Sequence, residues 1–107
     1  MFSRVVTCTI DPSKLDEFKT ALNNQCLPRI QAQKGFVDNI EALDPVTGEF
    51  CCTTLWESKV DVENYHTGLF QEIAAKLGPL MQEAPTVRTL PVENSSAHRV
   101  KAGRAAA

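Results

Sequence analysis

Three side chains near the middle of the chain could do chemistry that a packed core does not require. Trp56 carries an indole N–H donor and a flat stacking face. Tyr65 and His66 follow it by nine and ten residues, adding a phenol and an imidazole, the side-chain type that exchanges protons near neutrality. Thr7, Asn39 and Thr54 are further polar groups that could line a pocket, and Phe70 could give it an aromatic wall. Each also has a plainer reading. Trp56 fills space between a sheet and a helix, Tyr65 packs on a helix, and His66 sits half in water at a helix end beside Thr67-Gly68. Arg88 could bind an anionic ligand or form a cross-strand or interface ion pair. Asp11, Ser58 and Asp61 stand where helix caps stand.

Metal and thiol chemistry have less support. Cys8, Cys26, Cys51 and Cys52 contain no Cys-x-x-Cys pair, and neither histidine stands at ligand spacing from any of them. Adjacent residues of a strand point to opposite faces, so Cys51 and Cys52 should neither bridge each other nor share an ion. All four read as small buried hydrophobes. Eight basic residues face thirteen acidic ones over residues 1–93, whereas Arg99, Lys101 and Arg104 give the last nine positions only positive charge. An acidic body is a poor match for phosphate backbones, so no nucleic-acid partner is expected. No apolar run reaches the roughly 18 residues of a membrane span. The start, Met1 to Val6, lacks a basic stretch leading into a long apolar one, so the expected location is cytoplasmic and no membrane partner is expected.

The elements that must position these residues follow from periodicity. Phe2 to Ile10 is rich in β-branched residues and stops at Asp11-Pro12, giving a first strand. Leu15, Phe18, Leu22, Cys26 and Ile30 recur at helical spacing, with Pro28 expected to kink or loosen the helix and Gly35 to end it. Phe36 to Leu43 and Phe50 to Trp56 flank the turn Asp44-Pro45-Val46-Thr47-Gly48-Glu49, a hairpin. Ser58 with Asp61 three residues on opens a second helix. Gly68 interrupts it, Phe70, Ile73, Ala74 and Leu77 share one side of its continuation, and Gly78-Pro79 ends it. Thr86 to Glu93 is the last strand. The order is that of the α+β, ferredoxin-like βαββαβ fold with an antiparallel sheet. Residues 1–93 form the domain, and 94–107, small and polar, form a flexible C-terminal tail.

On the third strand Phe50, Cys52, Thr54 and Trp56 point one way, and Cys51, Thr53 and Leu55 the other. Neither set is charged, although one layer of helices covers only one face. A second copy of the chain laid sheet to sheet would cover the other, so a homodimer is expected.

Three stretches taken together resemble the antibiotic biosynthesis monooxygenase family of dimeric α+β barrels. They are Phe2-Ser3-Arg4-Val5-Val6-Thr7 running into Pro12–Phe18, Asp44-Pro45-Val46-Thr47-Gly48 running into Thr53-Thr54-Leu55-Trp56-Glu57-Ser58, and Gln71–Leu80. The resemblance spans nearly the whole chain to about Glu93, and Leu55-Trp56-Glu57-Ser58 is its most telling part. It implies a cofactor-independent oxygenase of a small aromatic, quinol or polyketide-like substrate, bound between helices and sheet. Trp56, Tyr65 and His66 would be catalytic there, and Thr7, Asn39, Thr54 and Phe70 would contact substrate. The family's haem-degrading members are similar in the position of Trp56 but carry an Asn on the first strand and a His on the second helix. Those positions fall near Val6 and Ala74 here, with His66 about two turns earlier. Haem degradation is therefore not implied. The alternative is a non-catalytic dimeric module that binds a small molecule or serves a stress response.

Overall fold

The structure, a computed structural model, describes residues 1–98. Strand β1 (Phe2–Thr9) lies at the centre of the sheet and pairs antiparallel with β3 (Glu49–Trp56) and β4 (Thr86–Pro91). Strand β2 (Phe36–Leu43) pairs antiparallel with β3, giving the order β2-β3-β1-β4. This is the ferredoxin-like α+β arrangement that the element order implies.

The two turns that fix the sheet are built from side chains placed for them. Asp44 accepts N–H bonds from Val46 and Thr47 at 2.8 and 3.2 Å. Gly48, at φ +81°, closes the hairpin, and a Cβ there would run into the Ile10 carbonyl. At Gly35, also at φ +81°, a Cβ would meet the Asp61 carboxylate, so the entry to β2 and the first turn of the second helical segment are locked together. Ser58 caps that segment: its Oγ accepts from Asp61 N at 3.2 Å and donates to Asp61 Oδ2 at 2.8 Å.

The first helical region departs from a plain kinked helix. A 3₁₀ turn (Pro12–Lys14) capped by Asp11 leads into α1 (Leu15–Thr20), a π-helical stretch (Ala21–Cys26) and α2 (Leu27–Gln31). The Leu27 N–H donates to the Leu22 carbonyl, five residues back. Proline at 28 offers no N–H and crowds the carbonyl four residues earlier, and widening the preceding turn removes that conflict without bending the chain away from the sheet. The second helical region is α3 (Lys59–Thr67), broken at Gly68, and α4 (Leu69–Leu77), ended by a 3₁₀ turn (Gly78–Leu80).

Helices cover one face of the sheet. Phe18, Leu22, Cys26 and Ile30 from the first region meet Ile73 and Leu77 from α4 over Cys8 and Phe50, with Phe18 edge-on to Phe50 at 4.9 Å. The other face is treated differently. Ile40 and Leu90 are 56% and 48% exposed there, yet Leu55 is buried. Residues 92–98 lead back from the β4 edge: Val92 N–H donates to Met1 O, and His98 Nε2 lies 3.0 Å from Asp38 Oδ2 on β2, the opposite edge strand. That return covers one end of the outer face and leaves Thr7, Ile40 and Ala42 exposed. Residues 99–107, the greater part of the expected tail, lie outside the described residues. No helix among the described residues is long and apolar enough to cross a membrane.

Candidate functional site

Strand alternation brings a cation into the helix-covered face. Phe2, Arg4, Val6 and Cys8 point inward from β1, opposite Trp56, Thr54, Cys52 and Phe50 of β3. Arg4 is 1% exposed, and its guanidinium lies over the Phe70 ring at 4.0 Å and the Tyr65 ring at 5.1 Å. Its Nη2 donates to His66 Nδ1 at 2.9 Å, while its Nε is buried with no partner. No carboxylate among the described residues lies within ion-pair distance of it.

Beside Arg4 lies a small cavity of about 50 Å³ between sheet and helices, walled by Val6, Thr54, Tyr65, Phe70 and Ala74 among others. Its lining is almost wholly apolar. Burial drives ionisation there toward the uncharged forms. Desolvation, with the Arg4 charge opposing it, pushes the Tyr65 phenol up to about 12. Desolvation and then Glu41 push the Cys52 thiol up to about 12, and desolvation lowers the pKa of Arg4 itself.

The structure brings together only part of the candidate set. Thr54, Tyr65 and Phe70 line the cavity. Trp56, fully buried, stands behind that wall: its Nε1–H donates to Thr54 Oγ1 at 2.8 Å and its ring stacks on Tyr65 at 4.9 Å. The indole N–H is thus engaged with protein, and the ring orients two cavity residues. His66 is exposed on α3, its ring stacked on Phe70 at 5.5 Å. It borders an outer groove of about 330 Å³ between α3 and β4. The Arg4–His66–Phe70 cluster therefore separates groove from cavity. A guanidinium only donates, so His66 Nδ1 is the acceptor in this contact. In this arrangement His66 borders the groove with Nδ1 engaged, and that nitrogen meets another partner only when Arg4 lets go.

Thr7 and Asn39 stand elsewhere. Thr7 points out of the opposite face, at an open cleft with Cys51 and Ala42. Asn39 is on the helix side of β2, but its amide donates to Glu41 at 2.9 Å and accepts from Cys52 Sγ at 3.1 Å, outside the cavity wall. Arg88, on β4 opposite Val5, also belongs to the outer face. Arg4 is the residue absent from the sequence-derived set. The signal for it was the alternation of β1, which puts one cation in the stripe Phe2, Val6, Cys8. The cavity wall at Val6 and Ala74 carries no nitrogen ligand for a haem iron. Among the described residues no cluster of His, Cys, Asp or Glu could hold a metal ion.

Solved structures with this fold are numerous. A monooxygenase from the gene ActVA-Orf6 of Streptomyces coelicolor, in complex with the ligand nanaomycin D, is 17% identical, with a TM-score of 0.74 over 88% of each chain. A structure named antibiotic biosynthesis monooxygenase is 14% identical, with a TM-score of 0.70 over 86% of this chain and 98% of the other. Rv0793 from Mycobacterium tuberculosis is 12% identical, with a TM-score of 0.72 over 89% of this chain and 97% of the other. No family model matches the chain, and no curated protein matches it significantly. The fold is that of the antibiotic biosynthesis monooxygenase structures, as the residues of the three stretches suggest, and at these identities the likeness speaks for the fold alone.

Proposed function

We propose that this chain is a cofactor-independent monooxygenase of a small, electron-rich aromatic compound, a quinol or polyketide-like substrate, and that it acts as a homodimer. The observation that carries this reading is the apolar cavity beneath the helices, with a buried guanidinium held against two aromatic rings at its wall. Oxygenation without metal or flavin draws its electrons from the substrate, so the protein has to supply a dry site, a route for one proton and donors for reduced oxygen. Arg4 is such a donor, and Tyr65, held protonated, is a second. For a ring CH₂ the balance is CH₂ + O₂ → C=O + H₂O. One oxygen atom stays on carbon, the other leaves as water with both hydrogens, and all four electrons come from the carbon.

The cavity is smaller than the roughly 150 Å³ that accommodates benzene in an engineered core. A substrate therefore enters by displacing Phe70 and His66 and joining the cavity to the outer groove. That movement also parts His66 from Arg4 and frees Nδ1 to accept the substrate proton. Trp56 acts in this scheme by orienting Thr54 and Tyr65.

Oxygen uptake by metal-free protein with a panel of quinols, anthrones and dihydroxynaphthalenes tests the reading. The expected result is enzyme-dependent uptake with one atom of ¹⁸O₂ in the product. Uptake no faster than without protein, across the panel, would leave a binding module as the better description.

A further inference from the structure

We infer that Arg4 is an anion-binding residue, and that the ligand of this cavity is an aromatic ring bearing a planar oxyanion, a phenolate or a carboxylate. This names the ligand class of the site proposed above. It relies on that reading for the location of the pocket and not for any reaction with oxygen.

The inference begins from an imbalance. A guanidinium with almost no exposure to water ordinarily has a carboxylate beside it, because an unpaired charge is costly to bury. Arg4 has none among the described residues. The ionisable groups whose charge bears on it are Tyr65 and Cys52, and burial holds both protonated at neutral pH. Its other neighbours are the faces of Tyr65 and Phe70, which attract a cation weakly, and one imidazole nitrogen. Of its five N–H donors, one on Nη2 has a strong acceptor in His66, and Nε is buried with none.

Packing alone does not account for an arginine at this place. Methionine has comparable reach, carries no charge, and would suit a stripe of Phe2, Val6 and Cys8 facing Phe70. An uncompensated cation beside a cavity is instead a group left ready for a partner that arrives from outside. Both oxygens of a carboxylate, or a single phenolate oxygen accepting from both arms, match the planar fork of a guanidinium. The apolar wall of Val6, Phe70 and Ala74 takes the ring. An oxyanion on Nε and Nη2 takes the place of His66 Nδ1, so ligand binding and release of His66 become one event.

Two pairs of probes, each an anion and a neutral ring of similar shape, test this on the full chain: benzoate against benzamide, and pentafluorophenolate against pentafluorobenzene. Dissociation constants for the wild type, Arg4→Met and Arg4→Lys come from calorimetry, and thermal midpoints are recorded for all three. The wild type should bind at least one anion about tenfold more tightly than its neutral partner. The pair showing the larger ratio distinguishes carboxylates from phenolates. Arg4→Lys should keep a preference for the anion. Arg4→Met should bind both members of a pair alike, and it should melt no lower than the wild type, because it removes an unpaired charge. Equal binding within both pairs by the wild type, or no binding of any probe, overturns the inference, as does an anion preference that survives in Arg4→Met. An anion preference without oxygen uptake would sink the oxygenase reading and leave this one standing. Uptake of oxygen with no anion preference would do the reverse.

Discussion

The two faces of the sheet are made of neighbouring residues and obey different rules. On the inner face the middle of β3 and β1 is buried or half-buried, and its polar groups stand in fixed relations: Thr54 to Trp56, Arg4 to His66. On the outer face the strands present Thr7, Thr53 and Cys51 beside Ile40 and Ala42, and among the described residues only the return of 92–98 is laid across one end. The difference shows how a single layer of helices allots precision. The covered face can hold a cation in a defined pose because rigid rings surround it, whereas the open face offers a broad, mildly apolar surface suited to another surface of the same kind.

Removing the anchor of the inner face should have the largest effect. Trp56→Ala empties the space between Phe36, Thr54 and Tyr65, and should lower unfolding free energy by about 4 kcal/mol in urea titrations. A loss under about 1 kcal/mol would mean that the inner face is far less tightly packed than described.

High pH probes the same face through its ionisable groups. Tyr65 at about 12, Cys52 at about 12 and Cys8 at about 11 all lie above their ordinary values, and in each case burial is the main cause. The folded chain therefore holds these protons more firmly than the unfolded one. Stability from this source is fully present below the unfolded values near 9 and 10, and is lost as pH rises through them toward 12. Tyr65 alone should contribute about 2 kcal/mol of that loss, read as a fall in the urea midpoint between pH 8 and pH 11.5. An unchanged midpoint would place these groups in contact with water.

The smallest effect on folding and the clearest on assembly belongs to the outer face. Ile40→Lys, at a position already 56% exposed, should shift the stability of the isolated fold by less than about 0.5 kcal/mol. In light scattering it should convert a wild-type dimer to monomer. A wild type that is monomeric at the same concentration would break the proposed pairing.

Much of this architecture could be read from residue order. The caps at Asp11 and Ser58, the Asp44–Gly48 turn and the break at Gly68 all form where local side-chain chemistry demands them. Local rules are visible in sequence because their partners are only a few residues apart. The site is less legible for the opposite reason. Arg4 and His66 meet across 62 positions, and neither residue type announces the other. Trp56, conspicuous by its chemistry, turned out to have its donor satisfied two residues away. Thr7 and Thr54 look equally suited to line a pocket, and only the pairing of β1 with β3 assigns them to opposite faces. The volume of the cavity depends on how many side chains close together, which no pattern along the chain encodes.

The π-helical stretch has a consequence for the chain as a string of letters. Phe18, Leu22, Cys26 and Ile30 are each four residues apart, and in a regular α-helix each such step drifts by about 40° around the axis. Over three steps the drift would carry Ile30 out of the core. The wider turn at Ala21–Cys26 takes up that drift, so all four remain buried. In effect the segment is an α-helix that has absorbed one inserted residue. Deleting a residue there would restore ordinary helix and leave everything downstream facing as before: eleven steps of about 100° bring Ile30 back to within about 20° of Phe18. Related chains that lack the insertion would need their inward residues shifted by one position in sequence to build the same wall.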